Sequence, residues 1–140
     1  MKQPCLLDSS FVIDLLNEVA DGEPGPATNW LRANRGAQLW ISPVTYAEVL
    51  EGADDLDAVR AHLRRYRWQG LHHAHAEMAA VLQRRNSRRM GENDAWQAAV
   101  ALAMNGCIVG HDPAAFSRLG AAYVDHRADG RRRAPGAGGG

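Results

Sequence analysis

A chain of 140 residues, 46% of them hydrophobic, is long enough to bury one real core and too apolar to be disordered throughout. The 16 Lys and Arg residues equal the 16 Asp and Glu residues, so the net charge is zero. That balance conceals a segregation. Up to Asp57 the acids are Asp8, Asp14, Glu18, Asp21, Glu23, Glu48, Glu51, Asp54, Asp55 and Asp57, opposed only by Lys2, Arg32 and Arg35. From Arg60 to Arg89 the sign inverts: Arg60, Arg64, Arg65, Arg67, Arg84, Arg85, Arg88 and Arg89 face only Glu77. An acidic half beside a basic half suits a polyanion held over an acid-lined site. No apolar run approaches the roughly 20 residues of a membrane span. Asp8 and Asp14 interrupt any signal-peptide core. The expectation is a soluble, cytoplasmic protein, with Cys5 and Cys107 as small core residues in a reducing compartment.

In chain order, Cys5-Leu6-Leu7 reads as a short strand buried on both faces. Asp8 ends it, Ser9 or Ser10 can cap a helix, and Phe11, Val12, Leu15 and Leu16 repeat at helical spacing. The first carboxylate therefore stands just past the C-terminal end of the first strand, the edge where open α/β sheets bind ligands. DGEPGP over residues 21–26 is a turn-rich loop. A short helix runs through Trp30 and Leu31, then a strand over Gln38 to Ile41. Ser42-Pro43 is a helix start, Ser as cap and Pro at the first position, and Gly52 closes that helix.

Asp54 and Asp55 cap a helix carrying Leu56, Val59, Leu63 and Tyr66. Trp68 to His72 is the third predicted strand. Ala74 to about Ser87 is a helix with Met78, Val81 and Leu82 inward. Asp94 to Asn105 is a helix apolar almost all round, hence buried. Cys107 to Gly110 is a strand ending on His111-Asp112. A short helix over Pro113 to Leu119 and a strand over Ala121 to Asp125 complete the domain, drawn as residues 1–125. Residues 126–140, rich in Arg, Gly and Ala, read as a disordered tail. Short buried strands alternating with helices predict an α/β fold, a parallel sheet sandwiched between helices.

Four acids fall at one edge of such a sheet. Asp8 and Asp112 each come just after a strand, Glu48 lies on the helix after the second strand, and Asp94 sits at a helix start, where the dipole favours a carboxylate. Converging carboxylates repel and take up protons unless a cation joins them. Oxygen-only ligands point to magnesium or manganese rather than zinc. Such an ion acidifies water and neutralises charge on a phosphodiester. No Walker loop and no Ser–His–acid order competes with this reading.

The runs LLDSSFVIDLL, TYAEVLEG, ENDAWQAAVALAMNGC and IVGHDPAAF together resemble a PIN domain, most closely the toxin ribonucleases of VapBC toxin–antitoxin pairs. The resemblance runs from Cys5 to Asp125. It implies a three-layer α/β/α sandwich of strand order 3-2-1-4-5, with Asp8 and Asp112 flanking the point where the order reverses. It implies that Asp8, Glu48, Asp94 and Asp112 are catalytic and bind Mg2+, with Mn2+ a possible substitute. A homodimer, a VapB-type antitoxin partner and endonucleolytic cleavage of single-stranded or loop RNA are implied with them. Two departures stand out. Gly110 replaces the family's usual Thr or Ser, removing a hydroxyl. Gln97 replaces an apolar residue, which predicts a wetter helix face. A non-catalytic module that binds RNA or antitoxin, and a nuclease of DNA or branched ends, are the competing readings.

Other residues divide between plain and functional readings. The stripe Arg60, Arg64, Arg67 and the cluster Arg84, Arg85, Arg88, Arg89 are solvated faces, RNA contacts, or the seat of an acidic antitoxin segment. The spacing of His72, His73 and His75 fits no zinc pattern and reads as a strand end and helix cap. His111 reads as a loop residue, with a phosphate contact or proton shuttle as the sharper option. Ser9 caps a helix or holds a water. Trp30, Trp40, Trp68 and Trp96 are read as core or dimer-interface residues.

Overall fold

The computed structural model describes residues 3–128. Five parallel strands form one sheet: β1 (Pro4–Leu7), β2 (Gln38–Ile41), β3 (Arg67–Trp68), β4 (Cys107–Gly110) and β5 (Tyr123–Asp125). Their order is β3-β2-β1-β4-β5, as the resemblance implied. The helices are α1 (Ser9–Asp21), α2 (Pro26–Ala33), α3 (Pro43–Glu51), α4 (Leu56–Leu63), α5 (His73–Arg85), α6 (Glu92–Ala103) and α7 (Pro113–Phe116). A 3-10 turn over Ser117–Ala122 leads into β5.

The side-chain alternation of β1 sorts the two cores. Leu7 joins Phe11, Val12, Trp30, Ile41, Val49 and Leu63 on one face. Leu6 joins Ile108, Phe116 and the buried alanines of α6 on the other. Both faces of β1 are covered, which is why its residues are uniformly apolar. Cys5 and Cys107 are register partners on β1 and β4; both are free and buried.

Several expectations move by a few residues, each for a local reason. Asp8 itself caps α1: its carboxylate accepts from Ser10 N–H, so Ser9 and Ser10 lie inside the helix. Strand β3 is only Arg67–Trp68, rather than Trp68 to His72. Gln69 N–H still donates to Ile41 O at 2.9 Å, but the chain then turns away. On α5 the inward stripe is His75, Met78, Ala79 and Leu82, the i, i+3, i+4, i+7 set. Val81 falls off that stripe and is 37% exposed. Leu56, expected on the packed face of α4, is also exposed. Helix α6 begins at Glu92, so Asp94 is its third residue rather than its first.

Two polar clasps secure the periphery. Gly25 caps α2 without a side chain, and Glu18 supplies the missing acceptor. Its carboxylate takes the N–H groups of Gly25, Ala27 and Thr28 at 2.9, 3.0 and 2.9 Å, and the Thr28 hydroxyl at 2.7 Å. Burial pushes its pKa up, and these bonds outweigh that and leave it below the ordinary value.

The second clasp lies beyond the drawn domain boundary. His126 is fully buried and meets the Phe11 ring edge-on at 4.9 Å. Its Nε2 lies 2.8 Å from Asp14 Oδ2, and Arg127 donates to both oxygens of Asp14 at 2.9 and 3.0 Å. Residues 126–128 therefore belong to the packed fold, not to the tail. The rest of the expected tail lies outside the described residues.

Burial pushes the Asp14 carboxyl up, and the bonds from Arg127 and His126 more than offset it, leaving its pKa below the ordinary value. A depressed carboxyl contributes stability above its unfolded pKa, near 4, and loses it as the pH falls through the folded value. Asp14→Ala is expected to cost about 2 kcal/mol at neutral pH. Thermal melts should show the variant and wild type drawing together as the pH falls below about 4, the unfolded carboxyl value.

Candidate active site

Asp8 begins where β1 ends. Its N–H donates to Val109 O at 2.9 Å, tying the residue to β4. Its Oδ2 accepts from the Ser10 hydroxyl at 2.8 Å and from Ser10 N–H at 3.3 Å. Its Oδ1 lies 3.4 Å from Gln97 Nε2. The residue is 6% exposed. Burial pushes its pKa up, the Ser10 and Gln97 bonds oppose the rise, and the Glu48 charge adds to it.

Glu48 spans two helices. Ser9 Oγ donates to its Oε1 at 2.8 Å and Asn93 Nδ2 donates to its Oε2 at 3.0 Å. Ser9 thus orients a carboxylate rather than capping a helix. Asp112 caps α7 through Ala115 N–H at 3.2 Å, and its own N–H donates to the Tyr123 hydroxyl at 3.1 Å. Tyr123 is pushed up to about 12, chiefly by burial.

Asp94 shows that the four acids share one field. Burial and then the charges of Asp112, Asp8 and Glu48 raise its pKa to about 6. The structure therefore brings all four sequence-predicted residues to one edge, at the C-terminal ends of β1 and β4. Among the described residues, no three His, Cys, Asp or Glu side chains surround a common point closely enough to hold an ion as they stand. Bare carboxylates hold apart, and Asp8, Glu48 and Asp112 are each engaged by a hydroxyl, amide or backbone donor. Their chemistry, all oxygen and mutually repelling, fits a hard divalent cation.

Gln97 and Gly110, the two departures, both have structural answers. Gln97 is 1% exposed, so the helix face is dry rather than wet. Its Oε1 accepts from Ser42 Oγ at 2.6 Å, and its Nε2 donates to Thr45 Oγ1 at 2.7 Å. Thr45 in turn donates to Leu7 O at 2.8 Å. A buried polar network thus runs from α6, through the first turn of α3, to the end of β1 and Asp8. At Gly110 a Cβ would stand 2.7 Å from both Asp8 Cβ and Ser10 Oγ. The Ser10 hydroxyl already occupies that space, and it accepts from His111 N–H at 2.9 Å. A side chain at position 110 would have to displace that hydroxyl.

His111 is held at Nδ1, 3.1 Å from both Asp125 oxygens, so it is an oriented residue rather than a free loop side chain. Of the histidine triplet, His75 is spent on α5, where Nδ1 accepts from His72 N–H at 2.9 Å. Burial, with His72 beside it, holds its pKa below the ordinary value. Sequence reasoning gives Ser10 only a capping role and does not single out Asn93 or Thr45. The signal for Asn93 is its place beside Asp94; the roles of Ser10 and Thr45 are visible only through the partners that folding brings to them.

The chain belongs to the PIN-domain family, whose profile matches residues 5–122. Solved structures agree on the fold. A toxin–antitoxin complex from Klebsiella pneumoniae superposes with TM-score 0.74 at 22% identity, covering 87% of this chain and 97% of the other. A VapBC structure from nontypeable Haemophilus influenzae gives TM-score 0.68 at 21% identity, with 88% and 98% coverage. The FitAcB structure from Neisseria gonorrhoeae gives 0.68 at 16% identity, with 87% and 97% coverage. No curated protein matches the sequence. Among the described residues no helix is long and apolar enough to cross a membrane.

Two outcomes test the site's geometry. The raised pKa of Asp94 means that its ionisation opposes folding above about pH 4, increasingly so up to about pH 6. Asp94→Asn is therefore expected to melt higher than wild type at pH 8 in chelator, with the gap closing below about pH 4. Gly110→Ala forces a methyl against Asp8 Cβ and the Ser10 hydroxyl and is expected to cost about 2 kcal/mol in denaturant unfolding.

Proposed function

We propose that the protein is a metal-dependent endoribonuclease, the toxin of a type II toxin–antitoxin pair, hydrolysing phosphodiester bonds in single-stranded or loop RNA. The observation that carries this is Asp94, whose carboxyl is pushed up to about 6 by burial first and then by the charges of Asp112, Asp8 and Glu48 at the same sheet edge. Asp8, Glu48, Asp94 and Asp112 would hold Mg2+, with Mn2+ as substitute. A divalent cation there supplies an acidified water and neutralises charge on the phosphate and leaving oxygen. The chain's own residues pre-set the donors. Ser10 and Gln97 fix Asp8, Ser9 and Asn93 fix Glu48, and the α7 backbone fixes Asp112.

The family membership and the toxin–antitoxin neighbours support a VapB-type antitoxin as partner. A homodimer and a cytoplasmic setting are part of the same proposal. The arginines are unequal in this reading. Arg60 pairs with Asp57 and Arg89 with Glu92, which leaves Arg64 and Arg67 of the stripe and Arg84, Arg85 and Arg88 of the cluster better placed for RNA or an acidic antitoxin segment. A second reading, a PIN fold that binds RNA or antitoxin without cutting, draws on the carboxylates' standing apart rather than around one point.

The deciding experiment is cleavage of single-stranded RNA by the full chain with Mg2+ or Mn2+, with and without chelator. Cleavage should require the metal and fall at least about 100-fold in Asp8→Asn and Asp94→Asn, the scale expected when charge stabilisation at a reacting centre is removed. Saturable RNA binding with no cutting in either metal would establish the binding module instead. Mg2+ should also raise the melting temperature of wild type more than that of Asp94→Asn, because binding to the folded state alone stabilises it.

A further inference from the structure

Trp68 ends the edge strand β3 and is 52% exposed, so of the two expectations, core or dimer interface, it does not meet the first. The ring is nevertheless braced. Tyr46 on α3 meets it at 5.5 Å with the planes 84° apart. Such an edge-to-face contact covers at most one face of the indole.

The strand register sets its position relative to the acids. Leu6, Trp40 and Arg67 share one row across the sheet, and Ile41 and Trp68 share the next. Trp68 therefore stands one residue short of the level of Asp8, two strands away, about 10 Å at ordinary strand spacing. A few nucleotides of extended strand bridge that gap.

Cations precede the ring along the chain. Arg64 and Arg65, at the end of α4, are exposed. Arg60 is paired with Asp57, and Arg67, the adjacent strand residue and so on the opposite face of the sheet, lies over the Trp40 ring at 5.8 Å. An open aromatic face near cations is the arrangement that takes a base by stacking and its phosphates by charge. A partner that covers Trp68 by apolar contact alone would leave the Arg64 and Arg65 guanidinium groups without counter-charge.

We propose that Trp68, braced by Tyr46 and preceded by Arg64 and Arg65, is a stacking platform for an unpaired base of single-stranded RNA, placing a neighbouring phosphate over the four carboxylates. The placement rests on the nuclease reading; the stacking does not.

The test is anisotropy of end-labelled single-stranded RNA titrated with the full chain in chelator, so that binding is read without cutting. Trp68→Ala should weaken binding about ten-fold, within the range for loss of one stacked base. Trp68→Phe should recover most of it. RNA made abasic throughout should bind wild type as weakly as intact RNA binds Trp68→Ala, with no further loss in the variant. The salt slope should be unchanged in Trp68→Ala and shallower by about one in Arg65→Ala.

Equal affinity of wild type and Trp68→Ala for intact RNA overturns the proposal. So does equal affinity of wild type for abasic and intact RNA, or loss of self-association in Trp68→Ala with RNA affinity retained. If no RNA is cut in either metal while the Trp68 pattern holds, the nuclease reading falls and the platform stands. If cleavage is normal and the pattern fails, the platform alone falls.

Discussion

Like charges at a half-buried edge repel, and the polar structure of this domain is arranged around that constraint. Asp8 is held from four sides: Ser10 hydroxyl, Ser10 N–H, Gln97 and, through its own N–H, Val109. Each donor to the carboxylate lowers the cost of keeping it out of water. Glu48 and Asp112 are treated likewise, by Ser9 and Asn93 and by the first turn of α7. Asp94 alone among the four is raised to about 6 with no hydrogen bond offsetting the rise. Burial and the three neighbouring charges both act on it.

Much of this is legible in the chain. The order strand, acid, helix over residues 4–16, the Ser42-Pro43 start and the apolar α6 each rest on local chemistry, and each is found within two residues of its expected place. The four acids are legible because each lies close to an element whose end or start the pattern marks. Differences gather where local signals are weak. Strand β3 pairs on one side only and has just two residues, too few for a period. Val81 turns outward because a helix phase error of one residue moves a side chain by about 100°.

The rest depends on distant partners. Gln97 is visible as a polar residue on an apolar helix, but its meaning needs Ser42 and Thr45. Gly110 looks like a loss until Ser10 is seen filling the same space. His126 reads as tail because its sequence neighbours are Arg, Gly and Ala. Its reason for being ordered is Asp14, far away on α1. Composition describes a neighbourhood in sequence, and these contacts are neighbourhoods in space.

The central position of β1 carries a consequence for biosynthesis. Cys5 lies beside Cys107 and Leu7 beside Val109, so the first strand of this sheet to be made waits for its fourth. Contacts of such sequence separation form slowly. A nascent chain carries Asp8 from the outset but has no finished edge until Asp112, and then His126, have emerged. Polypeptides released early by stalled translation would hold some of the acids without the scaffold that aligns them, and so would lack whatever chemistry the complete edge performs.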